Sequence, residues 1–240
     1  METPCESHGL RLVVSFLRRL RMQRKRVIAF IDGFNLYHAL DNLKRPELKW
    51  LNLMTLCQMF LKSYSEELIR VYYFSAYADH MPEPAQKRQK AYVRALELKG
   101  VKTILGHFKK KTRKCPDCHH RWTGHEEKET DVNIALFLLD LAYQNAFDRA
   151  LVISNDSDLA PAIKMARTRF PEKRITTVVP PNFYHSNELI KVSSDKTKIR
   201  VEQLERSLLP PIVTDASRLI SVSRPVEYLT RAIANPAHSR

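Results

Sequence analysis

Short apolar runs, each cut off by charge, alternate along the middle of the chain with stretches whose apolar residues return every three or four positions. The runs are residues 27–31 (VIAFI), 68–76 (LIRVYYFSA), 101–108 (VKTILGHF), 150–154 (ALVIS) and 174–180 (RITTVVP). They are rich in β-branched and aromatic residues and too short for buried helices, so they predict strands. Residues 33–40, 52–64, 82–100, 131–145 and 158–169 predict helices, with Pro82 opening the third and Gly100 placed to stop it. Strands alternating with helices imply a mainly parallel sheet covered on both faces. In such a sheet ligands bind beyond the carboxyl ends of the strands. Asp32 and Asp156 fall there.

The pattern fades at both ends. Residues 182–209 predict a short helix and an edge element, and 210–240, opening with Pro210-Pro211, read as a tail. Residues 1–24 form a basic extension. Leu10, Val13, Val14, Leu17 and Leu20 recur there at helical spacing beside Arg11, Arg18, Arg19 and Arg21, which leaves an amphipathic helix and an extended appendage both open. The expected organisation is therefore one α/β domain over 25–209 between two appendages.

Charge adds a partner. The 240 residues carry a formal net charge of +14. A surplus of that size favours a polyanion, most simply nucleic acid. Lys and Arg concentrate in residues 11–26 and 109–121, and Lys87, Arg88, Lys90 and Arg94 give one predicted helix a basic face. Charge interrupts every apolar stretch before 18 residues, so no membrane span is expected. The N-terminal stretch has no small-residue cleavage site for a signal peptide. Four cysteines, two of them as Cys115-Pro116-Asp117-Cys118, fit a reducing cytoplasm and a metal site better than a disulfide framework. A homo-oligomer is compatible with all of this.

Acidic residues mark three junctions: Asp32 after VIAFI, Asp131 at the head of VNIALFLLDLA, and Asp156 with Asp158 after ALVIS. Each also fits a helix N-cap, Asp131 and Asp158 more readily than Asp32 and Asp156, with Thr130 placed to cap the helix that Asp131 begins. Gathered at one sheet edge, however, four carboxylates repel one another unless they take up protons or a cation. Hard oxygen donors favour Mg2+ or Mn2+. Asn35, Ser154, Asn155 and Thr130 stand beside them as polar contacts for a substrate.

IDGFNLYHAL, EEKETDVNIALFLLDLA and DRALVISNDSDLAPAIKMA, in this order over about residues 27–195, resemble the NYN domain family, in the LabA branch of the PIN-like nucleases. The resemblance implies a PIN-like Rossmannoid three-layer sandwich and metal-dependent RNA cleavage, with Asp32, Asp131, Asp156 and Asp158 as the acidic site. Asn155 stands where many relatives have Gly. A divalent ion held by such a set lowers the pKa of a bound water, which then attacks a phosphodiester without a Ser, Cys or His nucleophile. An RNA-binding module of the same fold without catalysis is the alternative. A phosphatase or nucleotide hydrolase is a third reading, and the chain has no Gly-rich phosphate loop to favour it.

The stretch 109–125 (KKKTRKCPDCHHRWTGH) is expected to form a small Cys-containing insert. Cys115 and Cys118 have the spacing of a zinc knuckle, with His125 as the expected third ligand and His119, His120 and His107 nearby. Lys109, Lys110, Lys111 and Arg113 would meet RNA phosphates and Trp122 would stack on a base.

Overall fold

A computed structural model describes residues 24–229; the residues of the predicted N-terminal amphipathic helix lie outside that range. Nine strands are described: β1 (Lys25–Asp32), β2 (Glu66–Ala76), β3 (Lys102–Lys114), β4 (Arg121–Lys128), β5 (Arg149–Ile153), β6 (Arg174–Val179), β7 (Asp195–Lys198), β8 (Ile212–Thr214) and β9 (Ser221–Ser223). Seven form one sheet in the order β4-β3-β2-β1-β5-β6-β7. All neighbours are parallel except β4, which runs antiparallel to β3. This is the mixed α/β architecture that the alternation predicts. The strand order reverses between β1 and β5, and in doubly wound sheets the crevice for a ligand opens at that point.

Alternation along β1 distributes the two faces of the core. Val27, Ala29 and Ile31 pack with α1 (Gly33–Asn42), α2 (Leu53–Gln58) and α3 (Glu83–Leu98) through Leu36, Leu40, Leu56, Val93 and Leu96. Ile28 and Phe30 pack with α4 (Thr130–Tyr143) and α5 (Ala160–Arg169) through Ile134, Leu138 and Ile163. Asp32 is in phase with Ile28 and Phe30. Its carboxylate is therefore delivered to the face that carries Asp131.

At the start of β5, Arg149 is buried with Glu66. Its Nη1 lies 2.6 Å from Glu66 Oε2, and its Nε donates to the Thr176 hydroxyl at 2.9 Å. Four satisfied donors and acceptors make this pair a locating device for the start of the strand rather than an unpaired buried charge.

Several elements differ from the sequence reading. The helix expected over 52–64 ends at Gln58; Asn52 caps its start by accepting from the Met54 and Thr55 N–H groups. The helix expected from 158 begins with a 3-10 turn, Ser157–Leu159, because Pro161 leaves no N–H for a regular first turn. Residues 182–209 supply α6 (Asn187–Val192), β7 and α7 (Val201–Glu205), a short helix and an edge strand as expected, with one helix more. The region read as a tail from 210 is folded as far as it is described: Leu209, Val213 and Tyr228 close over Trp50 and Ala95, and Trp50 Nε1 donates to the Pro210 carbonyl at 2.8 Å.

The largest difference is the insert. Instead of a strand over 101–108 followed by a loop, β3 runs on to Lys114 and returns as β4. It pairs with β2 only from Lys102 to Gly106, and from His107 onward its partner is β4 alone. The outer part is a two-stranded ribbon projecting past the carboxyl edge. Exposed on both sides and built from Lys, Arg and Thr, it lacks the apolar alternation that announces a strand.

Candidate active site at the carboxyl edge of the sheet

Asp32 is the last residue of β1 and is buried, 4% exposed. Its Oδ1 accepts from the Asn35 N–H at 2.9 Å, capping α1, and its Oδ2 accepts from the Ser154 hydroxyl at 2.8 Å. Ser154 Oγ in turn accepts from the Asp156 N–H at 3.0 Å. Asp156 Oδ1 accepts from the Asp158 N–H at 2.9 Å. Asn35 Oδ1 accepts from the Asn155 N–H at 3.1 Å, and Asn155 Oδ1 from the Ser186 N–H at 3.0 Å. The residues after β1, β5 and β6 are thus joined by side chains at the reversal point of the strand order. Capping falls on Asp32 and Asp156, opposite to the expectation that favoured Asp131 and Asp158, because strand ends supply the extended backbone an N-cap needs.

Asp131 lies in the first turn of α4. Thr130 is not the cap expected of it: it is already helical, and the N-cap is Glu129, in the left-handed region at φ 81°. Buried Thr130 instead donates both its N–H and its hydroxyl to Glu127 Oε1. As a substrate contact Thr130 is thereby occupied.

Electrostatics join what the chain separates. Burial pushes the Asp32 carboxyl up to about 6, against the Asn35 N–H and Ser154 hydroxyl that pull it down, with Asp156 and Glu127 adding repulsion. Burial, then repulsion from Asp32, Asp156, Glu127 and Asp158, pushes Asp131 up to about 7. Asp131 therefore feels the other three predicted aspartates, and Asp32 feels Asp156. Glu127 of β4 belongs with them: its charge reaches both Asp32 and Asp131. Its signal was the acidic run 126–129, hidden among charges that are merely solvated.

Carboxyls that hold protons near neutrality release them to a hard cation, so the donor set suits Mg2+ or Mn2+. The side chains as they stand are not closed round an ion: among the described residues no group of three or more His, Cys, Asp or Glu is arranged to hold one.

Gly33 makes the close approach possible. A Cβ there would lie 2.6 Å from the Phe74 carbonyl oxygen and 2.7 Å from the Tyr73 ring. Gly33→Ala is expected to cost about 2 kcal/mol of stability. An unchanged urea midpoint would mean that β1 and β2 separate freely.

Strand alternation splits the expected substrate residues of the ribbon. Lys109, Lys111, Arg113 and Trp122 share one face, where Lys111 pairs with Glu126 at 3.2 Å and Trp122 lies opposite Arg113. Lys110 lies on the other face with Phe108, His125 and Glu127. That face looks to the carboxylates: Phe108 packs edge-on against Phe34 at 5.4 Å between ring centroids. His125 is not beside Cys115 and Cys118, which occupy the tip; it pairs across from Lys110 and stacks on His80 at 4.1 Å. Two backbone bonds close the tip itself, Cys115 N–H to the His120 carbonyl and His119 N–H to the Cys115 carbonyl.

The sequence profile of the NYN domain family matches residues 17–199. The chain is similar to 6-hydroxy-3-succinoylpyridine 3-monooxygenase HspA of Pseudomonas putida (strain DSM 28022 / S16), at 27% identity over 82% of this chain and 74% of that protein. Among solved structures it is similar to a protein of unknown function, VPA0982, from Vibrio parahaemolyticus RIMD 2210633, with TM-score 0.50 and 16% identity over 78% of this chain and 97% of that one. That likeness concerns the fold alone. No helix among the described residues is long and apolar enough to cross a membrane.

Proposed function

The chain belongs to the NYN domain family, and from that premise we propose that it is a ribonuclease that hydrolyses RNA phosphodiester bonds at the carboxyl edge of its sheet. The observation that carries the reading is the mutual repulsion of Asp32, Asp131 and Asp156 at the reversal point of the strand order, in a chain of net charge +14. Asp32, Asp131, Asp156 and Asp158 would hold Mg2+ or Mn2+. A bound ion of this kind supplies an acidified water and a Lewis acid for the phosphoryl oxygens. The chain's own residues do the positioning. The Ser154 hydroxyl and the Asn35 N–H fix both oxygens of Asp32, and Glu127 holds the first turn of α4, so Asp131 faces the cluster. Lys110 stands on the site face of the ribbon to neutralise a phosphate. Lys109, Lys111, Arg113 and Trp122 would engage a single strand on the far face.

Incubation of the full chain with single-stranded and structured RNA tests this. Products are expected with Mg2+ or Mn2+ and none with EDTA. Cleavage that EDTA leaves untouched would remove the metal from the proposal. RNA binding that falls with salt yet forms no products in any metal would replace hydrolysis with a purely binding role. Turnover of 6-hydroxy-3-succinoylpyridine in place of RNA would move the chain to the activity of its 27%-identical relative.

We also propose a structural Zn2+ held by Cys115 and Cys118 at the ribbon tip, without His125. Metal analysis is expected to find about one equivalent, falling in the Cys115→Ser, Cys118→Ser double variant. Equal zinc in that variant would refute it.

A further inference from the structure

Two aromatic platforms flank the carboxylates along the same edge of the sheet. One follows β2. His80, in the loop after that strand, packs edge-on against Phe108 of β3 at 4.6 Å between ring centroids. It also lies parallel to His125 of β4, at 4.1 Å and 8° between ring planes. Phe108 in turn meets Phe34, two residues from Asp32. The rings step outward from the acidic site, and the two outermost, His80 and His125, are exposed. Partial burial, then His125, hold the His80 imidazole below its ordinary value against Asp79, so a neutral ring stacks there near neutral pH.

The other platform follows β6. Tyr184 is 88% exposed, and Lys198 Nζ stands over its ring, 5.7 Å from the centroid. A tyrosine so placed adds nothing to the core. Its loop is tied to the site two residues on, where the Ser186 N–H donates to Asn155 Oδ1 at 3.0 Å. Lys196 and Lys198 are in register with Thr177 and Val179, which are in phase with Ile175 on the α4–α5 side of the sheet. Both lysines therefore point to the face to which β1 delivers Asp32. Asp195, one residue before Lys196, points the other way and pairs with Arg174. Burial, then Lys196 and Lys198, hold the His185 imidazole below its ordinary value, with no acid opposing them among the described residues. Between the platforms lie β1 and β5, whose ends lead into Asp32 and Asp156. From β3 to β6 the sheet spans four strand intervals, roughly 19 Å at the usual spacing. A single strand with a stacked rise of about 3.4 Å per nucleotide covers that with about six nucleotides.

On the premise of RNA cleavage at the carboxylates, we propose that the substrate is an unpaired strand that crosses the sheet edge from the His80–His125 pair to Tyr184, with a base stacked on each platform and an intervening phosphate at the aspartates. Lys198 neutralises the phosphate beside the base on Tyr184. Lys109, Lys111, Arg113 and Trp122, on the ribbon's other face, lie outside this track and serve longer strands. A duplex keeps its base faces against one another and has none to offer a platform. Fluorescence anisotropy of the full chain in EDTA, where binding is read without metal-dependent cleavage, tests this with a single-stranded octanucleotide and with the same strand annealed to its complement. The single strand is expected to bind at least about fivefold more tightly than the duplex. Tyr184→Ala should weaken the single strand by about fivefold to tenfold, and Tyr184→Phe, which keeps the ring, should hold it within about twofold. Lys198→Gln should lower the slope of log affinity against log salt by about 1. An octanucleotide of abasic sugars should bind wild type and Tyr184→Ala alike, because it has no base to stack. Octanucleotide affinity unchanged in Tyr184→Ala, or duplex bound as tightly as single strand, would overturn the track and leave cleavage at the carboxylates standing. Failure of wild type to bind any of these RNAs would overturn both.

Discussion

Asp156→Asn is expected to lower metal-dependent RNA cleavage by roughly 10^3-fold while leaving the fold intact. The substitution is well matched to the geometry. Asp156 Oδ1 accepts from the Asp158 N–H, and an Asn at this position keeps that oxygen and the cap of the Ser157–Leu159 turn. What it removes is one negative charge from the set that presses on Asp32 and Asp131. RNA binding, carried by Lys and Arg, should change by about twofold or less, because phosphate contacts dominate affinity and Asp156 makes none. Single-turnover cleavage and filter binding measured on the same preparations separate the two. Cleavage within about tenfold of wild type would exclude Asp156 from the reacting centre.

In metal-free buffer, stability is expected to fall as pH rises from about 4 to about 7, and Mg2+ or Mn2+ should restore it only toward the upper end. The sign follows from the two raised carboxyls. In the unfolded chain both titrate near the ordinary Asp value of 3.8; in the folded chain Asp32 holds its proton to about 6 and Asp131 to about 7. Below pH 4 both states are protonated, and the contribution is fully present. It is lost as each folded carboxyl is forced to ionise inside the cluster. For buried Asp32 the upward shift corresponds to about 3 kcal/mol once ionisation is complete. Asp131 is half-buried and water screens its part. Asp32→Asn removes the burden of the buried charge, so this variant should be the more stable protein at pH 7.5 and should gain less from the cation. Urea midpoints at pH 5 and 7.5, with and without Mn2+, read this directly. Parallel pH curves for wild type and Asp32→Asn would show that Asp32 carries no such strain.

The two predictions meet in one cluster: the Asp156 charge proposed to serve cleavage adds to the repulsion on Asp32 and Asp131. Strained electrostatics of that kind are expected where function, rather than stability, places the residues. At Arg149, by contrast, the buried charge is matched by Glu66 and Thr176.

The central strands were legible from the sequence because burial on both faces leaves nearly continuous apolar runs, as in VIAFI and ALVIS, with β-branched and aromatic residues. The strand–helix alternation likewise implied a parallel sheet, and a parallel sheet implied that Asp32 and Asp156 stand at one edge. The ribbon was not legible. Its strands are solvated on both sides, so Lys109, Lys110 and Lys111 read as a charged loop. The fold of residues 210–229 escaped for a related reason: it rests on a few contacts with Trp50 and Ala95, which no local periodicity records.

By itself, then, the sequence determined the class of fold and the positions of the central strands and nominated the aspartates, since each depends on local pattern and on where a strand must stop. Only the tertiary structure decided which roles they take. Pairing register turned Asp32 toward α4, left Asp32 and Asp156 as caps, brought Glu127 into the acidic cluster, and separated His125 from Cys115 and Cys118 by the length of a strand. A side-chain period of two makes each of these a matter of register. Register is set by the long-range contacts of the assembled sheet, which no stretch of the chain carries alone.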